Sequence, residues 1–113
     1  MRTYIGFGTT CLLAAGGLLV SSLAFHAAVP AADGSAVFKT NCAMCHGVDG
    51  KGFAALKTPD FTSPKWQASM TDKQIKDVIK NGKKGTAMVA FGDKLNEEEI
   101  TAVVAYIRSL KKK

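Results

Sequence analysis

Three stretches of the chain place apolar residues at the spacing of an amphipathic helix. In an α-helix, positions i, i+3, i+4 and i+7 share one face, and burial of that face stabilises the helix. Helices are therefore predicted over about residues 34–43, 72–81 and 97–110. The apolar positions are Phe38, Cys42 and Cys45 in and just after the first, Ile75, Val78 and Ile79 in the second, and Ile100, Val103, Val104, Ile107 and Leu110 in the third.

Polar residues at the ends of these stretches support the same boundaries. Asp33 and Asn96 stand where an N-cap side chain accepts a hydrogen bond from the first turn of a helix. Thr71 and Gln74 have the spacing of a capping box, and Gly82 suits a helix end. The three predicted helices therefore have start or stop signals of their own.

Two long loops, residues 47–70 and 83–95, separate the predicted helices. Loops of this length are uncommon in a compact domain unless they carry a function, such as wrapping a cofactor. No segment alternates apolar and polar residues with a period of two convincingly. The sequence therefore predicts an all-α fold of about three helices, with long loops wrapped around one bound group.

The N-terminal segment has the pattern of a secretory signal. A basic residue near the start precedes an apolar run over about residues 11–28, and Ala24 and Ala31 both fit a cleavage site. We expect a signal peptide over residues 1–31, a mature domain over residues 32–113 and export to the periplasm. The alternative is an uncleaved membrane anchor, because the run reaches the lower end of the roughly 17–25 residues that span a bilayer.

The charge of the chain limits the class of partner. Of the 113 residues, 15 are Lys or Arg and 9 are Asp or Glu, which gives a formal net charge of +6. The basic residues are not interleaved with aromatic residues in a nucleic-acid-binding motif. The charge therefore favours an acidic protein partner over nucleic acid.

Residues 42–46 read Cys-Ala-Met-Cys-His, which is the attachment signature of a c-type haem. Cys42 and Cys45 are three residues apart, so on a helix both thiols share a face and reach the two vinyl groups of one porphyrin. His46 follows directly and would supply one axial nitrogen to the iron. We therefore expect one haem c, bound covalently through two thioethers.

Two rival interpretations of the cysteine pair find little support. Structural zinc needs four ligands, and the predicted mature chain has no second Cys/His pair to complete such a site. A redox-active pair of the thioredoxin type needs a βαβ context, which the predicted helices do not provide. The third cysteine, Cys11, lies in the predicted signal segment.

Elimination points to Met88 as the sixth iron ligand. His26 lies in or beside the signal segment, Met44 is inside the attachment motif, and Met70 directly precedes a capped helix. Met88 lies in the middle of a loop, after small residues at positions 85–87 that would let the backbone approach the haem. The alternatives are Met70 as the ligand, an open sixth position, or Met88 as an ordinary core methionine.

Four stretches of the chain have the pattern of a known family: GSAVFKTNCAMCHGVDGKG, TPDFTSPKWQASMTDKQIKDVIKNGKKG, TAMVAF and GDKLNEEEITAVVAYIRSL. Together they cover essentially all of residues 33–110, and there the chain resembles the short bacterial class I c-type cytochromes. The resemblance implies an all-α fold around one haem. It also implies that the N-terminal helix crosses the C-terminal one, with Gly34 and Phe38 against Tyr106.

The resemblance extends to residues around the iron. In the family a proline carbonyl often orients the proximal histidine, and Pro59 is the best-placed proline here, with Pro64 as its rival. A proline commonly follows the axial methionine in the family, whereas Val89 follows Met88 in this chain. Trp66 is expected either to donate a hydrogen bond to a haem propionate or to pack in the core.

The resemblance implies one-electron transfer by a monomeric periplasmic carrier, with the iron cycling between Fe(III) and Fe(II), and not catalysis. If His46 and Met88 both bind the iron, no position is left for a substrate. The first alternative is a haem protein in which a small ligand or peroxide displaces Met88. The second is a membrane-anchored haem subunit of a respiratory complex.

The expected partners are redox proteins with an acidic docking face. Lysines around the exposed haem edge would steer such a partner by long-range attraction. Each of these lysines taken alone is equally well explained as a solvated surface residue. The lysines expected at the edge are Lys51, Lys83, Lys84 and Lys94.

Overall fold

The computed structural model describes residues 16–17 and 30–113. Most of the predicted signal peptide or anchor over residues 1–31, with Cys11, His26 and the cleavage site at Ala24, lies outside the described residues. Within the described ranges, no helix has both the length and the hydropathy needed to cross a bilayer.

Residues 30–113 form five α-helices and one short 3₁₀ helix, and this part of the chain has no β-strand. The predicted all-α fold is confirmed, but about three helices was too few. The helices are α1 (Gly34–Asn41), α2 (Ala43–His46), α3 (Pro64–Ser69), α4 (Asp72–Asn81) and α5 (Glu97–Ser109), with the 3₁₀ helix at Ala54–Leu56.

The predicted caps are confirmed at three helix starts. The carboxylate of Asp33 accepts a hydrogen bond from the amide of Ser35 at 2.9 Å and begins α1. The other two starts are reciprocal capping boxes, in which each side chain bonds the other residue's amide. They are Thr71 with Gln74 at α4 and Asn96 with Glu99 at α5.

The predicted first helix, residues 34–43, is interrupted at Cys42. The backbone of Cys42 keeps a helical ψ of −33°, but its φ of −115° is far from that of a regular helix, and this residue ends α1 and begins α2. Its amide still donates to the carbonyl of Phe38 at 2.8 Å. The attachment motif therefore lies on a short turn of helix of its own, directly joined to α1.

Helix α3 falls inside the segment predicted to be a loop. The hydroxyl of Ser63 accepts from the amide of Trp66 at 3.4 Å, and Pro64 occupies the first turn. Proline suits this position because its fixed φ is helical and the missing N–H has no partner there anyway. The Ser-Pro pair was thus a helix-start signal that the periodicity analysis did not use.

The core forms where α1 crosses α5. A Cβ on Gly34 would overlap the carbonyl oxygen of Ala102, so the two backbones touch at this point. Phe38 is fully buried, and its ring centroid lies 5.2 Å from that of Tyr106. The helix crossing expected from the resemblance is confirmed. Helix α4 packs on α5 as well and adds the buried side chains of Ile75 and Ile79.

Candidate functional site

A single cavity of about 420 Å³ brings together the four residues predicted to hold a haem. Cys42, Cys45 and His46 line it from α2 and its cap, and Met88 lines it from the segment after α4. Most of the remaining lining is apolar. It includes Phe61, Trp66, Met70, Ile75, Val78, Ile79, Phe91 and Ile107.

The two cysteines are free thiols in different surroundings. Cys42 is half-buried and Cys45 is exposed. Burial, together with the charge of Cys45, raises the pKa of Cys42 to about 11, so this group is a protonated thiol at neutral pH. Met44, between them, is 89% exposed, as expected of a residue that points away from the site.

His46 ends α2, and its ring stacks on Phe61 with centroids 4.7 Å apart and planes 20° from parallel. Burial lowers the pKa of His46, which favours the neutral imidazole, the form that binds metals. Its Nδ1 is buried and has no hydrogen-bond partner. A desolvated nitrogen of this kind carries a cost unless a ligand or a further contact satisfies it.

The hydrogen bond expected from His46 to the Pro59 carbonyl is not formed. The carbonyl oxygens of Thr58 and Pro59 instead lie against Gly52, where a Cβ would come within 2.6 Å of each. The amide of Gly52 donates to the carbonyl of His46 at 2.8 Å. Because Nδ1 of His46 has no hydrogen-bond partner, the carbonyl of Pro64, the rival, does not accept from this nitrogen either.

Residues 47–63, which we call the His46 loop, are tied to the helices at several points. The amide of Phe61 donates to the carbonyl of Gly50 at 2.8 Å, which closes the loop on itself. The carbonyl of Thr62 accepts from the amide of Lys112 at 2.9 Å, which ties the loop to the end of the chain. Phe61 and Thr62 are both buried. Both ends of the loop, at residues 47–50 and 61–62, therefore include residues packed in the core, whereas residues 53–57 between them are exposed.

The buried Gln67 and the half-buried Arg108 brace this loop, and neither is among the residues predicted from sequence. Gln67 is only 7% exposed, and its Nε2 donates to the carbonyls of Phe61 at 2.7 Å and Ile107 at 2.8 Å. Nη1 of Arg108 donates to the Gln67 side chain at 2.9 Å, and Nε of Arg108 pairs with Asp72 at 2.7 Å. The network connects α3, α4 and α5 behind the Phe61 ring that touches His46.

Residues 82–92, which we call the Met88 loop, are held mainly by short-range contacts. The amide of Lys83 donates to the carbonyl of Met88 at 3.0 Å, and the amide of Phe91 donates to Ile79 at 2.8 Å. Gly82 has φ +72°, and a Cβ there would come within 2.9 Å of the Met88 carbonyl oxygen. Met88 itself is half-buried and packs on the core.

Met70 and Trp66 also line the cavity. Met70 is the C-cap of α3, and its carbonyl accepts a hydrogen bond from Nη2 of Arg108. The Trp66 ring lies 4.6 Å from the Phe61 ring, measured between centroids. The backbone of Met70 is thus tied to the Arg108 network, whereas the backbone of Met88 is bonded to Lys83 and Thr86 within its own loop.

The lysines near the cavity differ in what they contact. Lys57 and Lys83 line it. Lys51, expected at the edge, pairs with Asp49 at 3.6 Å, and Lys94 lies 5.7 Å above the centroid of the Phe91 ring. Among the described residues no carboxylate pairs with Lys57, Lys83 or Lys84, so these three cations are available to an external acidic group.

The donor set and the walls fit a covalently attached haem. Two thiols, one neutral imidazole with a buried unpartnered nitrogen, and one thioether converge on a cavity with mostly apolar walls. Imidazole and thioether are axial donors to haem iron, and apolar walls suit a porphyrin. The residues present therefore suit the group that the attachment motif predicts.

Several known proteins similar to this chain are c-type cytochromes or subunits of a cytochrome c oxidase. Residues 29–107 match the family described as cytochrome c oxidase, cbb3-type, subunit III. The chain is 37% identical over 77 residues to the cbb3-type oxidase subunit FixP of Azorhizobium caulinodans, covering 68% of this chain but 26% of FixP. It is 38% identical over 88 residues to cytochrome c6 of a Synechococcus species, covering 78% of this chain and 75% of that protein.

Solved structures agree with the sequence matches. The KustC0563 c-type cytochrome superimposes with a TM-score of 0.67 at 34% identity, over 72% of this chain and 100% of that one. Cytochrome c6C from Synechococcus superimposes with a TM-score of 0.55 at 28% identity, over 67% of this chain and 90% of that one.

Proposed function

This chain belongs to the cbb3-type cytochrome c oxidase subunit III family and is a class I c-type cytochrome, and we propose that it carries single electrons on one haem. As a c-type cytochrome it binds haem c covalently and takes part in electron transfer. The proposal concerns the finer points: which residues hold the haem, what fills the sixth position, and which kind of partner docks.

We assign the two thioether bonds to Cys42 and Cys45, and the axial positions to His46 and Met88. When bound, the haem would supply one-electron redox chemistry, in which its iron accepts one electron from a donor and passes it to an acceptor. The chain's residues would do the rest: His46 and Met88 would bind the iron, and the mostly apolar walls would limit its contact with water. A His/Met pair raises the reduction potential relative to other axial sets, so we expect a positive value.

One observation carries this proposal. Residues from two segments that are far apart in sequence, at 42–46 and at 88, line the same cavity. Nothing in the hydrophobic pattern requires a solvent-accessible cavity at that point in so small a domain. A chain that only needed a stable core would fill this space with side chains, because protein interiors are close-packed.

Mass spectrometry of the exported protein tests the attachment. We expect one haem adduct on the peptide that contains Cys42 and Cys45, and acid–acetone should not extract the haem. Cys45→Ser should sharply lower the yield of haem-containing protein, whereas Cys11→Ser, in the predicted signal segment, should not. Exported wild-type protein with two free thiols and no adduct would refute the assignment.

A matched pair of methionine substitutions tests the sixth ligand. Met88→Leu should abolish the near-infrared sulfur–iron band of the ferric protein, lower the potential and allow rapid CO binding to the ferrous form. Met70→Leu removes the same atom from the other methionine of the cavity and should leave the band in place. Loss of the band in Met70→Leu but not in Met88→Leu would assign the sixth position to Met70. Absence of the band from the wild-type protein would mean that the sixth position is open.

We propose that the partner presents an acidic face to Lys83 and Lys84. The rate of electron transfer to an acidic protein should fall as salt rises, because the screening length drops from about 10 Å at 0.1 M to about 3 Å at 1 M salt. Lys83→Glu with Lys84→Glu should lower the rate at low salt and leave the haem spectrum unchanged. Lys111→Glu with Lys113→Glu makes the same charge change at the C-terminus and should have a smaller effect.

A second role is favoured by one observation, the family match itself. The FixP relative is an oxidase subunit, and the matched residues make up 26% of it. This chain would then act as a haem subunit held to a membrane complex, and not as a freely diffusing periplasmic carrier. Cell fractionation with N-terminal sequencing separates the two: a start near Phe25 or Ala32 in the periplasmic fraction supports the carrier, and Met1 on membrane material supports the subunit.

A further inference from the structure

Both backbone polar groups of Met88 are bonded to the short segment before it. The carbonyl of Met88 accepts from the amide of Lys83 at 3.0 Å. The amide of Met88 donates to the hydroxyl oxygen of Thr86 at 3.2 Å, and that hydroxyl donates to the carbonyl of Lys83 at 2.7 Å. Thr86 and Lys83 thus enclose the backbone of Met88 on both sides.

Little else restrains this part of the Met88 loop. Residues 83–87 are all exposed, so no buried side chain holds them to the core. Val89, directly after Met88, is 58% exposed, and it lacks the ring that would lock φ in a proline. Segments with few buried contacts open locally at low cost compared with global unfolding.

We propose that Thr86 is a positioning residue for Met88, whose hydroxyl keeps the Met88 backbone in the conformation that places the side chain in the cavity. The inference rests on the proposed ligation of the iron by Met88. Withdrawal of Met88 from the cavity would break the bond from its amide to Thr86. The hydroxyl therefore raises the free energy of the open state relative to the closed one.

The test uses ferric holo-protein with imidazole as the probe, because imidazole binds the iron only after the sixth ligand has left. Thr86→Val keeps the shape of the side chain and removes the hydroxyl. A net hydrogen bond contributes modestly to stability, so we expect imidazole to bind about threefold to tenfold faster than to wild type. Thr86→Ser restores a hydroxyl and should return the rate to near the wild-type value.

A second readout does not depend on which residue binds the iron. Hydrogen exchange of the Met88 amide, measured by NMR on the ferrous protein, should speed up by a similar factor in Thr86→Val. Thr101→Val is the matched control, because the Thr101 hydroxyl donates to the Glu97 carbonyl at 2.7 Å in α5, outside the Met88 loop. It should leave both the imidazole rate and the Met88 amide exchange unchanged.

Unchanged imidazole binding and unchanged Met88 exchange in Thr86→Val would overturn the inference. Equal acceleration by Thr86→Val and Thr101→Val would also overturn it, since the effect would then be global destabilisation. A third outcome separates the two proposals. If wild-type ferric protein lacks the sulfur–iron band but Thr86→Val still speeds the exchange of the Met88 amide, ligation by Met88 is refuted and the backbone restraint stands. Acceleration confined to Thr86→Val and reversed by Thr86→Ser supports the inference.

Discussion

The His46 loop and the Met88 loop border the same cavity, but they are held in different ways. The His46 loop contains the buried Phe61 and Thr62 and is braced from behind by Gln67. Both loops have five exposed residues in succession, at 53–57 and 83–87, but the Met88 loop contains no buried residue and depends mainly on backbone hydrogen bonds. The His46 loop is held by buried residues at both of its ends, whereas the Met88 loop is held by bonds within itself and by backbone bonds to α4.

The difference indicates how each of the two proposed iron ligands, His46 and Met88, would be lost. Loss of a contact in the His46 loop disturbs the core, so it should appear as lost global stability. Loss of a contact in the Met88 loop should appear first as local opening, with the rest of the fold intact. With the proposed ligands, the His46 side of the site would therefore stay intact when Met88 is displaced.

The largest expected effect comes from matched truncation of one phenylalanine in each loop. Phe61→Ala should lower the free energy of unfolding by about 3–5 kcal/mol, the usual cost of emptying a buried aromatic site. Phe91 is half-buried, so Phe91→Ala should cost about half of that or less. Guanidinium denaturation of the holo-proteins measures both, and equal losses would contradict the comparison.

Two glycines with nearly equal φ provide a sharper test. Gly52 in the His46 loop has φ +73°, and a Cβ there would lie 2.6 Å from two carbonyl oxygens. Gly85 in the Met88 loop has φ +75° and open space around it. Gly85→Ala should therefore cost only the conformational penalty of about 1 kcal/mol.

Gly52→Ala should cost clearly more than Gly85→Ala, because the backbone must also move away from the added methyl group. Thermal and guanidinium unfolding of the two variants measure the difference directly. A smaller loss in Gly52→Ala than in Gly85→Ala would show that the His46 loop yields easily, contrary to the packing described above.

The smallest expected effect is a pH dependence within the His46 loop. Hydrogen bonds from the hydroxyl and the amide of Thr62 lower the pKa of Asp60 below its usual value. The unfolded chain therefore binds a proton more readily, so this contribution to stability is present above about pH 4 and is lost as the pH falls through the lowered pKa.

Asp60→Asn removes this titration. The difference in unfolding free energy between wild type and Asp60→Asn should be greatest near neutral pH and shrink in acid. Glu98→Gln, an exposed carboxylate in the first turn of α5, serves as a comparison outside the loop. A difference that grows as the pH falls would contradict the role assigned to Thr62.

The elements with both a periodic apolar face and a cap were predictable from sequence. The bounds of α4 agree with the prediction at both ends, because its capping box and Gly82 mark them. The end of α5 is one residue earlier than predicted. The attachment motif also pointed to the cavity, since its residue spacing reflects the chemistry of the group it binds.

The remaining features depend on contacts that local patterns do not encode. The break at Cys42 separates two turns of helix that look continuous in sequence. Gln67 is polar and would be placed on the surface by pattern, yet it is buried because Arg108, far along the chain, supplies a partner. The expected bond from His46 to Pro59 is not formed, and no local pattern shows that the Pro59 carbonyl lies against Gly52.

The contact between Gly34 and Ala102 has a consequence for the order of events during synthesis. It joins the two ends of the described chain, so its formation closes a long loop and is slow compared with local helix formation. A nascent chain emerges with its N-terminal part first, and Phe38 has no partner in α5 until the last helix has been made. Residues 42–46 therefore spend the whole of that interval outside a finished core, where chemistry on both thiols can precede final folding.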